Sequence, residues 1–252
     1  MTLSVLLTGN AGLCLCSGST TLLIDGIHDG ETVGFSAMHP ALLDQARTRT
    51  GLFSNLSGLL FTHLHPDHFS RSKLSDLLSA PPSPVIYAPD PSISTAAETH
   101  LPFGIEQITI GSARIWAKPT VHSGKEYASV AHRSFLIQIN GQLLFIPGDA
   151  LLQPADADAF INYCTAPIQA AFFNVYQLLD PSSADFIRRL HPLRIFIYHL
   201  PFPADDRYHY YTLARHAAAR RPGDLPPFEL CTPPGWIDNR CPPGLTSSLL
   251  FS

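Results

Sequence analysis

The stretch FTHLHPDHFS, residues 61–70, places three histidines and an aspartate within six consecutive positions, with a proline among them. Charged residues make up only 14% of the chain, so solubility does not call for such a cluster. An apolar core would not accept it either, because buried polar groups need partners. The residues just before it, in LSGLLFTH, read as a buried strand. If that strand runs to about residue 65, side chains two apart share a face, which puts His63 and His65 on one side. Pro66 cannot extend a ladder but suits the first position of a helix. Asp67 and His68 are then expected in the first helical turn, near free N–H groups and the positive end of the helix dipole. The proline turns the second donor pair back toward the first.

Three later segments each deliver one more metal-capable side chain. RIWAKPTVH ends in His122, LLFIPGD in Asp149 and RIFIYH in His199. Apolar strands that terminate in a polar residue at one sheet edge are where α/β proteins place their chemistry. The set of five histidines and two aspartates suits two divalent ions, zinc first, with manganese or iron as alternatives and solvent completing the coordination. Without cysteine ligands it does not suit a closed structural zinc site.

Around these residues the chain alternates strand and helix signals. LSVLLTG, LCLCSG and TTLLIDG read as short strands, ALLDQART and SRSKLSDLLS as helices, and PVIYAP as another strand. PSISTAAETH reads as a turn or short helix. EQITIGSARIWAKPTVHS and SFLIQINGQLLFIPGDA read as paired strands, the second pair joined at QING. IQAAFFNVYQLL, SSADFIRRL and DDRYHYYTLARHAAARR read as helices, LRIFIYHL as a last buried strand, and the proline-rich tail PPFELCTPPGWIDNRCPPG as a segment that wraps or frays. Strands followed by helices, twice over, imply a single α/β sandwich domain over 1–252 with two similar halves, roughly 1–116 and 117–252.

Composition narrows the rest. A chain of 252 residues buries roughly 70–75% of its unfolded surface and needs no disulfides. Its five cysteines, 14, 16, 164, 231 and 241, form no CxxC pair, and Cys14 and Cys16 alternate with leucines as small buried side chains. The net charge of −4, with three lysines scattered at 73, 118 and 125, argues against nucleic acid as a partner. No apolar run reaches the length of a membrane span, and the N-terminus has no basic n-region. The expectation is a cytoplasmic protein acting on a small molecule.

With all seven donors in view, the sequence resembles the metallo-β-lactamase fold hydrolases: H-x-H-x-D-H after a strand, then a lone His, an Asp after Gly and a final His. The resemblance covers nearly the whole chain and implies a four-layer αββα sandwich. It implies that His63, His65 and His122 hold one metal, that Asp67, His68 and His199 hold the other, and that Asp149 bridges them. The early LTGNAGLCLCSGSTTLLIDG resembles the family's first hairpin, which would put Asp25 beside the metals without binding them. Di-iron oxygen reductases of this fold usually carry Glu where this chain has His65, which favours hydrolysis. Mononuclear-iron sulfur dioxygenases keep the same motif and stand as the alternative, with a non-catalytic metal-binding module as a third reading. The chain's compactness leans toward the branch resembling ascorbate-6-phosphate lactonase and small phosphodiesterases.

The implied reaction is hydrolysis of a small ester, lactone or phosphodiester by a hydroxide shared between two metals, whose water has a pKa lowered toward ~7. Asp67 is the catalytic candidate, placed to orient that solvent or accept its proton. His28, in DGIHDG, is a candidate substrate contact at the rim, and His132 with Arg133, in SVAHRSF, are candidates for binding an anionic substrate, against solvated-turn and strand-start readings. Tyr198 is expected to face away from the metals, and His209 among its tyrosines to pack under the last helix. His39, His100, His191 and His216 carry no motif.

Overall fold

The computed structural model describes residues 3–29 and 34–237. The first sheet is laid down by the N-terminal strands β1 (Ser4–Gly9), β2 (Gly12–Ser17) and β3 (Thr20–Ile24), which pair as an antiparallel meander. After helix α1 (Pro40–Thr48), strand β4 (Leu56–Leu60) joins β3 in parallel; after α2 (Arg71–Leu78), β5 (Val85–Tyr87) joins β4 in the same sense. The second sheet begins with β6 (Glu98–Leu101), β7 (Ile105–Ile110), β8 (Ala113–Pro119), β9 (Arg133–Ile139) and β10 (Gln142–Ile146), all antiparallel. Asn140 and Gly141 make the β9–β10 turn with φ of 52° and 74°, the positive values a two-residue hairpin turn needs. Helix α3 (Pro154–Ile161), strand β11 (Ile168–Phe173), helices α4 (Val175–Leu179) and α5 (Ser183–Leu190), strand β12 (Ile195–Ile197), helix α6 (Tyr210–Ala219), and strands β13 (Phe228–Leu230) and β14 (Gly235–Trp236) complete the described chain.

The strand orders are β14-β1-β2-β3-β4-β5 and β13-β12-β11-β10-β9-β8-β7-β6. Three apolar layers hold them. Val5, Leu7, Leu13 and Leu15 of the first sheet meet Ile115, Phe135 and Ile137 of the second in the inter-sheet core. The first sheet's other face, with Leu6, Cys14 and Leu23, is covered by Leu42 and Ala46 of α1 and Leu74 and Leu77 of α2. The second sheet's outer face, with Phe145, Ala171 and Phe173, packs against Phe160 of α3, Phe186 and Ile187 of α5, and Ala214 and Ala217 of α6. The result is the expected four layers, helices–sheet–sheet–helices. Both Cys14 and Cys16 are buried, as their alternation implied. Cys241 lies outside the described residues.

Two local expectations are corrected and one open alternative is decided. IQAAFF is strand β11, not the start of a helix; it is buried on both faces between parallel neighbours, so it lacks the alternation that marks a half-buried strand. Of the two readings of the tail, wrapping is the one seen to residue 237: β13 adds to β12 on one sheet and β14 to β1 on the other, so the last described segment covers an edge of each. The rest of that tail lies outside the described residues. Finally, β4 stops at Leu60, and α2 does not begin at Pro66 but at Arg71, capped by the Ser70 hydroxyl, which accepts from Lys73 N–H. No helix among the described residues is long and apolar enough to cross a membrane.

Candidate metal centre

Residues 61–70 therefore form a loop between β4 and α2, folded by a single turn in which His65 O accepts from both His68 N–H and Phe69 N–H, each at 2.9 Å. Asp67 and His68 sit in that turn rather than at a helix N-terminus. The ring of His68 is placed by its pairing with a buried carboxylate, not by a helix dipole. Asp25, at the end of β3 with φ of 48°, accepts from Thr62 N–H at 2.8 Å and from Thr62 Oγ1–H at 2.6 Å. Its Oδ2 also lies 3.0 Å from His68 Nδ1. Because the Thr62 hydroxyl donates to Asp25, it can accept from His63 Nδ1, 3.1 Å away. His122 Nδ1 lies 2.5 Å from Ser123 O, which only accepts. In all three imidazoles Nδ1 carries the proton, and Nε2 is left to face the centre, the orientation that supports a metal ligand.

What those Nε2 atoms face is Asp149. Its Oδ2 is 3.4 Å from His68 Nε2, 3.7 Å from His199 Nε2, and 3.9 Å from both His63 Nε2 and His122 Nε2. Asp67 Oδ2 lies 3.5 Å from His199 Nε2 and 3.8 Å from His68 Nε2. The ligand atoms of His63, His65 and His122 lie within 4.8 Å of one another, as do those of Asp67, His68 and His199, and those of His63, His68 and Asp149. All seven side chains named from the sequence thus converge on one centre.

The donors fit a metal. His63 Nε2 and His122 Nε2 are buried with no hydrogen-bond partner, an unfavourable state for polar atoms unless an ion takes their lone pairs. His68 Nε2 and His199 Nε2 point at each other across 2.9 Å. Burial works against charge at His68, yet Asp67, Asp25 and Asp149 raise its pKa well above the ordinary imidazole value. Burial would also raise Asp67, but His68 and His199 hold it down to about 2. Three carboxylates, with no Lys or Arg among the described residues that line the cavity, make a place that calls for positive charge.

The rim candidates land elsewhere. His28 is neither a rim residue nor a solvated turn: it is 0% exposed, does not line the cavity, and neither ring nitrogen has a hydrogen-bond partner. Arg133 points away from the cavity, its guanidinium paired with Glu106 at 3.2 Å and its Nε donating to Tyr87 Oη. His132 is buried beneath the centre, its Nε2 accepting from Asp149 N–H at 3.1 Å and its Nδ1 2.8 Å from Thr120 Oγ1. Burial keeps it neutral, with a pKa down to about 3, so that Nε2 stays an acceptor. Gly148 makes this approach possible: its φ is 61°, and a Cβ there would lie 2.7 Å from Thr62 Cβ and 2.8 Å from His132 Nε2. Tyr198 is buried in the inter-sheet core, as expected.

Two residues were missed. Asn174 Nδ2 donates to Asp149 Oδ1 at 2.9 Å, leaving Oδ2 for the four imidazoles. Gln177 Nε2 donates to Gly148 O at 3.1 Å and Ala150 O at 2.8 Å, gripping the loop on both sides of Asp149. Asn174 and Gln177 also cap α4 reciprocally. That Asn-x-x-Gln spacing is a capping-box signature readable in FFNVYQ, and reading that segment as continuous helix hid it.

Above the donors lies a cavity of about 350 Å³, lined by His65, Asp67, His122, Asp149 and His199 together with Asn174, Pro66, Val175 and four aromatic residues.

No protein-family model matches the chain. Protein Rv0786c of Mycobacterium tuberculosis is 28% identical over 163 residues, spanning 61% of this chain and 71% of that protein. A possible metal-dependent hydrolase from Veillonella parvula superposes with a TM-score of 0.60 at 14% identity, covering 94% of this chain and 99% of that one. YhfI from Bacillus subtilis, a metallo-β-lactamase fold protein, gives 0.57 at 16% identity, covering 94% and 100%. CmlA, a diiron β-hydroxylase from Streptomyces venezuelae, gives 0.50 at 14% identity over 91% of this chain, which spans only 53% of that longer protein. Two face-to-face sheets, helices on both outer faces and a donor set at the ends of their strands complete the match: the chain has the metallo-β-lactamase fold.

Proposed function

We propose that the chain is a metal-dependent hydrolase that cleaves a small ester, lactone or phosphodiester with two divalent ions, zinc in the first instance. The observation that carries this reading is the position of Asp149 Oδ2, within 3.4–3.9 Å of four imidazole Nε2 atoms drawn from three separate segments. Nitrogen and carboxylate donors without thiolate suit zinc, manganese or iron, and a set that opens onto a cavity suits catalysis rather than a structural site. In this reading His63, His65 and His122 hold one ion, Asp67, His68 and His199 the other, and Asp149 is shared. Ions held there would supply Lewis acidity and a water ionised near neutral pH.

The chain's own residues do the rest. Asp67 lines the cavity as a carboxylate at neutral pH, so one of its oxygens can orient the attacking water and receive its proton. Asn174 and His132 fix Asp149 through its Oδ1 and its backbone N–H. Asp25 and Thr62 fix the rings of His68 and His63 from behind.

A panel of chromogenic phosphodiesters, lactones and β-lactams tests the reading. Chelator-sensitive turnover is expected on at least one of the first two classes, and Asp67→Asn should lower it by about 10²-fold or more with little change in thermal stability. Full rate in that variant would remove Asp67 from the chemistry. A single iron per chain, with oxygen consumed on a persulfide substrate, would replace hydrolysis by the dioxygenase reading.

A further inference from the structure

The walls of the cavity differ in kind from its floor. On one side Tyr127 packs against His65 and His122, with ring centroids 5.1 and 5.2 Å apart. On the other, Phe35 meets the His199 ring edge-on at 4.9 Å and stacks on Tyr210 at 5.5 Å, and Tyr176 meets Tyr210 edge-on at 6.1 Å. Each proposed ion position is thus flanked by its own aromatic bank. Tyr127 and Tyr176 are 43% and 58% exposed, so large rings stand at the mouth rather than inside a packed core. Among the described residues that line the cavity there is no lysine or arginine, and Lys125, beside Tyr127, is exposed outside it. Among the described lining residues a phosphodiester would meet two carboxylates, Asp67 and Asp149, and no lysine or arginine.

We infer that the preferred substrate is an uncharged ester or lactone carrying an aromatic or bulky apolar group, seated between Tyr127 on one side and Phe35, Tyr176 and Tyr210 on the other. This rests on the hydrolase reading and selects within it. A cavity of about 350 Å³ is of the size that encloses a small molecule. Aromatic walls reward a flat apolar group both by burial and by ring–ring contact. In the reaction the water oxygen adds to the acyl carbon and the acyl C–O bond breaks. The proton released from the water, carried by Asp67, goes to the departing alkoxide, giving one carboxylic acid and one alcohol.

Two hydroxamates with the same metal-binding head test the walls without turnover. Calorimetry on the zinc-loaded protein should find benzohydroxamate about tenfold or more tighter than acetohydroxamate. Tyr176→Ala, at an exposed position that the fold does not need, should remove most of that preference while leaving acetohydroxamate within about twofold. Equal affinity of the two probes in the wild type overturns the inference, and so does a preference that Tyr176→Ala leaves intact. A kinetic arm compares dihydrocoumarin, an uncharged aryl lactone, with bis(p-nitrophenyl) phosphate. A higher kcat/KM on the lactone is expected; the reverse order sinks the substrate class and leaves the hydrolase standing. Absence of turnover on every substrate sinks the hydrolase reading, while the hydroxamate pair still decides what the walls select.

Discussion

The two donor groups are built differently. His63, His65 and His122 form an all-imidazole set in which burial, with neighbouring histidines, pushes His63 and His65 below the ordinary imidazole pKa. Asp67, His68 and His199 form a set with its own carboxylate and a second one, Asp25, behind it; there burial also opposes charge, but the carboxylates win and raise both histidines. The first group offers imidazoles alone, and the second adds a carboxylate. The difference teaches that the two groups meet at two places: Asp149 in front, and behind it the Asp25–Thr62 pair, which touches His68 directly and His63 through the Thr62 hydroxyl.

Asp149 should accordingly give the largest effect. Asp149→Ala removes the one oxygen that four imidazoles face, and both ions should be lost or held only weakly, with turnover falling about 10³-fold or more. Elemental analysis of the dialysed variant checks this; two ions retained would break the claim that the carboxylate is shared. His199→Ala should act on the second group alone. Three protein ligands suffice for a zinc site, so His63, His65 and His122 should still hold an ion. Metal content should fall from two toward one per chain in a folded protein, with turnover reduced by orders of magnitude. Unchanged content and rate would take His199 out of the centre.

Smaller effects lie one contact further out. Asp25→Asn keeps the shape but weakens the partner of His68 Nδ1, and loss of such a partner typically costs about 10–100-fold in metal affinity. The larger loss should fall on the second ion, because Asp25 meets His68 directly and His63 only through Thr62; an equal loss at both positions would show that the contact through Thr62 matters as much as the direct one. The smallest effect on the reaction is expected at His28, buried near the second group. Burial, with His68 nearby, lowers its pKa from 6.5 to about 4. An unfolded chain takes up the proton below about pH 6.5 and the folded chain refuses it until about pH 4, so stability falls as pH drops through that window. His28→Leu should remove on the order of 3 kcal/mol of that acid sensitivity, read from denaturant unfolding at pH 7 and pH 4 in chelator. An unchanged difference between the two pH values would mean that His28 already finds a partner for its proton.

Much of the candidate site was legible because few residue types can hold a metal and these seven follow strand ends, and both features survive in a linear reading. All seven donors follow from short motifs after apolar runs. Local backbone was less legible. Pro66 fits a helix start and a hydrogen-bonded turn equally well, and the deciding contacts, Asp25 to Thr62 and His68, span 37 and 43 positions of sequence. Strand β11 was hidden because a strand buried on both faces carries no period-two signal. Arg133 looked available because its partner, Glu106, lies 27 residues away on another strand. His28 looked solvated because Gly and Asp surround it, and only the packed structure shows what covers it. The aromatic banks were invisible as a unit, since Phe35, Tyr127, Tyr176 and Tyr210 come from four segments with no shared motif.

The central claim is that one carboxylate joins two metal positions of different make-up, and metal stoichiometry tests it most directly. Purified protein, loaded with zinc and dialysed against metal-free buffer, should retain about two ions per chain by elemental analysis. The His199→Ala protein treated in parallel should retain about one. A folded wild-type chain that retains none, or a variant that retains as much as the wild type, would contradict the account.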